Sequence, residues 1–231
     1  MVGPLFLAPA KGSDVDGVAV IPRAMMDLLY HAAYVTQDLL AEQARLKQLV
    51  DAKLETLRGL RTAVNTPYDP TSETHYRLLR QLWDGLVFEE PFSVESRLWL
   101  YAGFQRSNPS TDFRGVGLLG LQNLVYFAEH FTPQAVRLLK RLDAVHTSPQ
   151  AATPAGVTGW YPFAVSALNI SRLLVDATHL QPVDKPGEEA APLDVARGVA
   201  LHCPSFWSVA RHGDAFNKVF SLCVLVLDTR Y

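Results

Sequence analysis

The residues best suited to chemistry in this chain of 231 residues form a polar stretch that ends at one arginine. Around Pro109 lie Gln105, Asn108, Thr111, Asp112 and Arg114. Thr111 and Asp112 can accept hydrogen bonds from the free N–H groups of a helix start, which predicts a helix that has Asp112 as its N-cap and runs to about Phe131. Arg114 then lies in the first turn, where the helix dipole disfavours a cation by up to about 1 kcal/mol. A compensating anion is needed, either an internal acid such as Asp112 or an external group such as a phosphate.

The residues after Arg114 match the dinucleotide-binding pattern GxGxxG from Gly115 to Gly120. That interpretation needs a buried strand before the motif and a βαβ unit around it, and the preceding Ser-Thr-Asp-Phe-Arg does not make such a strand. Gly117 and Gly120 are three residues apart, so they share a helix face and let another helix approach closely, at a cost of about 1 kcal/mol each. Farther along, Asn123 is expected to be a core amide that fixes a neighbouring loop.

Other recognisable chemistry is absent from the sequence. The seven histidines are scattered, and Cys203 and Cys223 are too few and too far apart for a disulfide framework or a CxxC metal site. There is no GxSxG elbow and no GxxxxGK[ST] phosphate loop. We therefore expect no metal, no cofactor of the chain's own and no intrinsic GTP site.

Charge and hydropathy restrict the surroundings of the chain. A formal net charge of −2 gives no basic footprint for nucleic acid. The longest apolar run, Leu222 to Leu227, is far short of the ~20 residues that span a bilayer, so no transmembrane segment is expected. The two cysteines fit a reducing compartment. We expect a cytoplasmic protein, with the membrane periphery or a large cytoskeletal assembly as narrower alternatives.

The hydrophobic pattern predicts an all-α chain in three parts. Residues 1–20 show no period and are expected to form a flexible tail. Residues 21–65 form a long amphipathic helical segment, and residues 66–231 form a compact multi-helix domain. Within that domain, residues 216–227 are β-branched enough to pass for a strand, but no second strand candidate exists to pair with them, so we predict a buried helix.

The long helical segment carries its leucines broadly along one stripe. They are Leu39, Leu46, Leu49, Leu54, Leu57 and Leu60, together with Val50. One interpretation is a helical partner bound through residues 23–60 as a coiled coil. The other is a helix packed on its own domain, which the short and irregular heptad favours.

One ordered set of residues spans the polar stretch and the helix after it. The set comprises Trp99, Gly103, Phe104, Gln105, Pro109, Thr111, Asp112, Phe113, Arg114, Gly115, Gly117, Leu118, Gly120, Leu121, Leu124, Tyr126 and Phe127. It resembles the signature of the ELMO (engulfment and cell motility) domain family. Residues 159–171 also resemble a later family helix that carries an asparagine, here Asn169, which is expected in helix packing with Gly117, Gly120 and Asn123. The resemblance covers roughly residues 72–228.

The resemblance implies a compact multi-helix ELMO-like domain and a function. In the branch of the family that acts on small GTPases, the arginine that corresponds to Arg114 is a catalytic finger. The chain would then be a GTPase-activating protein for Arf-family GTPases, with Gln105, Thr111 and Asp112 orienting the loop. GTP and Mg²⁺ would belong to the partner. The alternative is a non-catalytic ELMO-domain interaction or scaffold module in a larger assembly.

The sequence departs from the family pattern at two positions. The glycine that usually follows Gly-Phe-Gln is Arg106, a second cation that either strengthens an anion site or is solvated. The methionine that commonly follows Arg-Gly is Val116, a modest change in the core. Neither departure removes the arginine.

Overall fold

The computed structural model describes residues 22–147, 161–180 and 192–230, and all regular elements in these ranges are helices. They are α1 (Arg23–Asn65), α2 (Glu73–Gly85), α3 (Arg97–Tyr101), a 3₁₀ segment (Pro109–Gly115), α4 (Gly117–His130), α5 (Thr132–Thr147), α6 (Phe163–Ala177), α7 (Pro192–His202), α8 (Pro204–Val209) and α9 (Ala215–Arg230). The predicted all-α fold is therefore confirmed. Residues 216–227 lie inside α9, so the helix interpretation of that run is also confirmed. The expected tail, residues 1–20, lies outside the described residues.

Helix α4 forms the centre of the domain because it is apolar around most of its circumference. Ten of its fourteen residues are buried. It packs against α2, α5, α6 and α9, and α2 makes the most extensive of these contacts. A helix with so little solvated surface must be covered on several sides, which is why the other helices surround it.

Internal contacts divide the chain into Met1–Lys47 and Gln48–Tyr231. In the second unit, the last turns of α1 contribute Leu57, Leu60 and Val64 to a core cluster. The same cluster takes residues from α4, α6, α7, α8 and α9. The C-terminal end of α1 is therefore part of the domain core.

A chain of aromatic rings links α2, α3 and the polar stretch. The ring centroids of Trp83 and Trp99 are 5.0 Å apart, those of Trp99 and Phe104 are 5.4 Å apart, and those of Phe104 and Phe113 are 6.0 Å apart. All three pairs meet edge to face, the favoured arrangement for aromatic rings. This cluster gives the 3₁₀ segment a rigid base.

Within the ranges above, no helix combines the length and apolarity that crossing a bilayer requires.

Gly117 should tolerate no side chain. Its φ is +55°, and a Cβ there would lie 2.7 Å from the carbonyl oxygen of Thr66 and close to that of Val64. Because both the backbone conformation and the contact are unfavourable, we expect Gly117→Ala to lower the free energy of unfolding by about 2–4 kcal/mol. Urea denaturation measures this change.

The control is Gly115→Ala, because a Cβ at Gly115 meets no atom within 4 Å. We expect this control to change the free energy of unfolding by less than about 1 kcal/mol. Equal destabilisation by the two variants would contradict the role given to Gly117.

Candidate functional site

A short 3₁₀ segment carries the polar residues singled out by the sequence. Asn108 begins it, with its side-chain oxygen accepting a hydrogen bond from the Ser110 N–H at 3.0 Å. Pro109 occupies the first position, where its missing N–H costs nothing. The segment ends at Gly115, and the N–H of Val116 then donates to the carbonyl of Phe113 at 3.3 Å.

The prediction that Asp112 is the N-cap of α4 is wrong. The helix begins at Gly117, and Val116 precedes it without a side-chain cap. The positive φ of Gly117 breaks the helical path, so the 3₁₀ segment and α4 are separate elements. In place of an Asp112 cap, the carbonyl of Thr66, next to the end of α1, accepts a hydrogen bond from the Leu118 N–H at 2.8 Å.

This boundary changes the electrostatics expected for Arg114. The arginine lies in the last turn of the 3₁₀ segment rather than in the first turn of a helix. A cation is favourable near a helix C-terminus, so the predicted dipole cost does not arise. Its side chain is exposed, and the described residues give it no hydrogen bond and no ion pair. The guanidinium is therefore available to an external anion, but no unfavourable helix dipole requires such an anion.

Asp112 serves the loop and does not pair with Arg114. Its Oδ2 accepts a hydrogen bond from the Gln105 N–H at 2.8 Å, and its Oδ1 accepts one from the Thr111 hydroxyl at 3.4 Å. The first bond ties the start of the polar stretch to the 3₁₀ segment. The internal acid considered from the sequence is therefore occupied elsewhere, while Gln105 contributes its backbone and leaves its side chain exposed.

The apolar motif residues build the base beneath Arg114. Trp99, Phe104, Pro109 and Phe113 are buried, and Phe113, next to the arginine, has no exposed surface. The Trp99 indole N–H donates to the carbonyl of Ser93 at 3.0 Å, as a buried tryptophan requires. These residues hold the backbone of the polar stretch rather than contacting a ligand.

Gly103 joins this base to α6. Its φ is +89°, and a Cβ there would lie 2.5 Å from the backbone nitrogen of Phe163. The close approach allows the carbonyl of Gly103 to accept a hydrogen bond from the Val165 N–H at 3.2 Å, and the carbonyl of Ala102 to accept one from the Ala164 N–H at 3.0 Å. The free N–H groups at the start of α6 are thus satisfied by the backbone that leads into the polar stretch.

Arg172 on α6 contacts the backbone next to Arg114, a contact that sequence reasoning missed. Its guanidinium donates to the carbonyl of Gly115 at 3.3 Å, directly after Arg114. Its Nε also lies 3.0 Å from a carboxylate oxygen of Asp176, one turn farther along α6. The four-residue spacing of Arg172 and Asp176 is visible in the sequence, but the contact with Gly115 depends on how the helices pack.

Asn123 is fully buried at the junction of three helices. Its amide nitrogen donates to the Ser171 hydroxyl of α6 at 2.9 Å, and its amide oxygen accepts from the Asn217 amide of α9 at 3.0 Å. The asparagine therefore links helices, in line with its expected place in helix packing, and does not fix a loop. Gly120 also meets α6, since a Cβ there would lie 2.7 Å from a methyl group of Leu168.

Asn169 does not take the packing role expected for it. The buried face of α6 includes Ala164, Leu168, Ser171 and Val175, and Asn169 falls outside it. The side chain of Asn169 is exposed. The buried polar position of α6 belongs to Ser171.

Three titratable groups outside the polar stretch have shifted pKa values. The hydrogen bond from Lys218 lowers the pKa of the Asp214 carboxyl. Burial, with Asp214 nearby, raises the pKa of Tyr126. Burial also raises the pKa of the Cys223 thiol, which disfavours the thiolate that a nucleophile needs. Among the described residues, no group of three or more His, Cys, Asp or Glu side chains could hold a metal ion.

Comparison with known protein families identifies the family of this chain. The model of the ELMO/CED-12 family matches residues 58–231, about three quarters of the chain. The chain belongs to the ELMO/CED-12 family. The matched range includes the last turns of α1, the 3₁₀ segment and α4.

Individual relatives support the same assignment. The chain is 28% identical over 185 residues to ELMO domain-containing protein C of Dictyostelium discoideum, a match that covers 80% of this chain and 27% of the relative. It is 32% identical over 158 residues to ELMO domain-containing protein B of the same organism, covering 65% of this chain and 49% of the relative. Human ELMO domain-containing protein 2 is 45% identical over 76 residues, covering 32% of this chain and 26% of the relative.

These matches cover only part of each relative. The matched region spans between about a quarter and a half of the length of these relatives. No solved structure is significantly similar to the chain.

The buried amide of Asn123 should contribute strongly to stability. Asn123→Ala leaves the Ser171 hydroxyl and the Asn217 amide without their buried partner, so we expect the free energy of unfolding to fall by about 2–3 kcal/mol. Chemical denaturation followed by circular dichroism measures the loss. Asn169→Ala is the matched control, because the same deletion at an exposed position should cost less than about 0.5 kcal/mol. A larger effect at Asn169 than at Asn123 would contradict the assignment.

Proposed function

We propose that this ELMO-family chain is a GTPase-activating protein for an Arf-family small GTPase and supplies Arg114 to the partner's nucleotide site. The observation that supports the proposal is the state of Arg114. Its exposed guanidinium has no partner in the described residues, while Phe113 directly before it and Val116 two residues after it are buried. A finger needs this combination of a fixed backbone and a free cation.

The mechanism is electrostatic. Negative charge develops on the oxygens of the transferring phosphoryl group, and a positioned guanidinium stabilises it. Such a finger is worth about 10³- to 10⁵-fold in rate, which corresponds to about 4–7 kcal/mol of the barrier. Arginine suits the role because it is always charged and its planar fork matches phosphate geometry. GTP and Mg²⁺ belong to the GTPase, and this chain contributes only the arginine and its support.

The support has two parts, one on each side of Arg114. On the N-terminal side, Asp112 holds the Gln105 backbone and so fixes the loop that enters the 3₁₀ segment. On the C-terminal side, Arg172 holds the carbonyl of Gly115. Because these contacts hold the backbone, a GTPase that contacts this surface meets an arginine whose main chain is ordered before binding, which lowers the entropic cost of reaching the transition state.

A non-catalytic interaction module is the second candidate, and one observation favours it. The N-terminal part of α1 exposes large apolar side chains such as Leu28, Leu39 and Leu46, which a protein partner could cover. That feature does not involve Arg114. Replacement of Arg114 therefore distinguishes the two candidates. A GTPase-activating protein would lose its effect on GTP hydrolysis, whereas an interaction module would keep its binding to the partner.

Replacement of Arg114 tests the catalytic proposal directly. In single-turnover GTP hydrolysis by a panel of Arf-family GTPases, the wild-type chain should accelerate at least one member. Arg114→Lys should lose roughly 10³-fold or more of that acceleration, because lysine lacks the planar fork. Arg80→Lys, at an exposed arginine of α2, is the matched control and should retain the wild-type rate. No acceleration of any member by the wild-type chain would rule out the proposal.

Asp112 should affect the rate through the loop. Asp112→Ala removes the acceptor of the Gln105 N–H, a contact worth about 1–2 kcal/mol, so we expect the maximal hydrolysis rate to fall about tenfold. The concentration of this chain that gives half-maximal acceleration should change little, because the exposed surface is kept. Asp84→Ala on α2 is the control for loss of an acid. A pure loss of affinity, with an unchanged maximal rate, would contradict a positioning role.

A further inference from the structure

The first part of α1, from Arg23 to Lys47, carries a large amount of uncovered apolar surface. Along this part of the helix nearly every residue is exposed. The large apolar side chains among them are Met25, Leu28, Leu29, Tyr30, Tyr34, Val35, Leu39, Leu40 and Leu46, each at least 41% exposed. Helices in proteins owe most of their stability to a packed apolar face. A helix of this composition therefore calls for a partner.

The spacing along this part of α1 defines one seam. Positions 25, 28, 32, 35, 39, 42 and 46 alternate in steps of three and four residues, the heptad spacing of a two-stranded coiled coil. Six of these seven positions carry an apolar residue, and the remaining one carries Glu42. In this register Asp38 and Arg45 occupy equivalent positions that flank the seam, one heptad apart. Their opposite charges restrict which arrangements of two copies are favourable.

A parallel pair of these helices is unfavourable. It would place Glu42 beside Glu42 of the second copy inside the seam, two like charges with little water between them. It would also set Asp38 against Gln43 of the second copy, so that no ion pair compensates. The charges of the segment therefore disfavour the parallel arrangement.

One antiparallel register satisfies the charges, and its neighbours do not. When the two-fold axis passes between Leu40 and Ala41, Asp38 of each copy faces Arg45 of the other, and two ion pairs form by symmetry. A shift of one heptad in one direction brings Asp38 against Asp38, and a shift in the other direction brings Arg45 against Arg45. The register is thus fixed by attraction in one arrangement and by repulsion in both alternatives.

The same register also packs the seam. Val35 of each copy lies in one layer with Leu46 of the other, and Leu39 lies in one layer with Glu42. Arg45 lies 3.8 Å from Glu42 on its own helix, so in the dimer it would stand between that carboxylate and Asp38 of the second copy. The one acidic residue of the seam is in this way compensated.

We propose that the exposed part of α1 binds the same segment of a second copy as an antiparallel two-stranded coiled coil, in the register that sets Asp38 against Arg45. The occupant of the apolar face is thus a second copy of this chain. Two ion pairs and a few apolar layers make a small interface, so the dimer should form in the micromolar range. This inference does not depend on the proposed activation of a partner GTPase.

Charge exchange in the full chain tests the inference by sedimentation equilibrium. The wild-type chain should dimerise reversibly. Asp38→Arg alone and Arg45→Asp alone should each weaken the dimer roughly tenfold or more, because each turns two attractions into two repulsions. The double variant D38R/R45D should regain the wild-type dissociation constant. An equimolar mixture of the two single variants should dimerise better than either alone, because the mixed dimer restores both ion pairs.

Asp27→Arg is the matched control, since it makes the same charge change on the outer face of the same helix and should leave the dimer intact. The inference would be overturned by a wild-type chain that stays monomeric at millimolar concentration. It would equally be overturned if Asp38→Arg weakened the dimer no more than Asp27→Arg, or if neither the double variant nor the mixture restored association. Circular dichroism of each variant shows that α1 and the domain remain helical.

Discussion

The approach of Gly117 to the end of α1 is the contact on which the geometry around Arg114 depends. Its positive φ ends the helical path that the sequence would otherwise continue from Asp112 into α4. Its missing side chain lets the start of α4 reach the last carbonyls of α1, where the Leu118 N–H finds its acceptor. One residue thus separates the 3₁₀ segment from α4 and leaves Arg114 at the C-terminal end of a short element, where a cation is favourable.

Two kinds of contact hold the helices around α4 together. Apolar side chains supply most of the packing energy around α4, while a small polar link, from Ser171 through Asn123 to Asn217, fixes how α4, α6 and α9 are aligned. A fully satisfied buried link of this kind favours one arrangement over its neighbours, because any slip leaves buried groups unpaired. The alignment matters for the site because α6 also carries Arg172, which holds the carbonyl after Arg114.

Features with a long periodic signal could be predicted from the sequence, and features set by one backbone angle could not. The all-α class and the helical nature of residues 216–227 followed from apolar spacing and from the lack of a second strand. The same spacing indicated helix throughout residues 23–60 but left open one long helix or two joined near Gln37, and the structure has one, α1. The N-cap of α4 was misplaced by four residues, at Asp112 instead of Val116, because Asp112 is a good helix cap by residue type and nothing in a GxG pattern reveals which glycine has a positive φ. Asn169 was misassigned for a related reason, since a residue's place on a helix face depends on where the neighbouring helices lie.

The observed start of α4 removes one of the two reasons for giving Arg114 a functional role. An arginine in the first turn of a helix would have needed an anion, whereas an arginine at the end of a 3₁₀ segment does not, so electrostatic strain no longer favours a phosphate ligand. What distinguishes Arg114 is its support. Arg106 is also exposed and lies in the same polar stretch, but neither residue next to it, Gln105 or Ser107, is buried, whereas Phe113, directly before Arg114, is. The Arg172 guanidinium also donates a hydrogen bond to the carbonyl of Gly115, directly after Arg114. A cation that must reach a second protein's nucleotide gains most from such a fixed base, because the loop is already ordered before the two proteins meet.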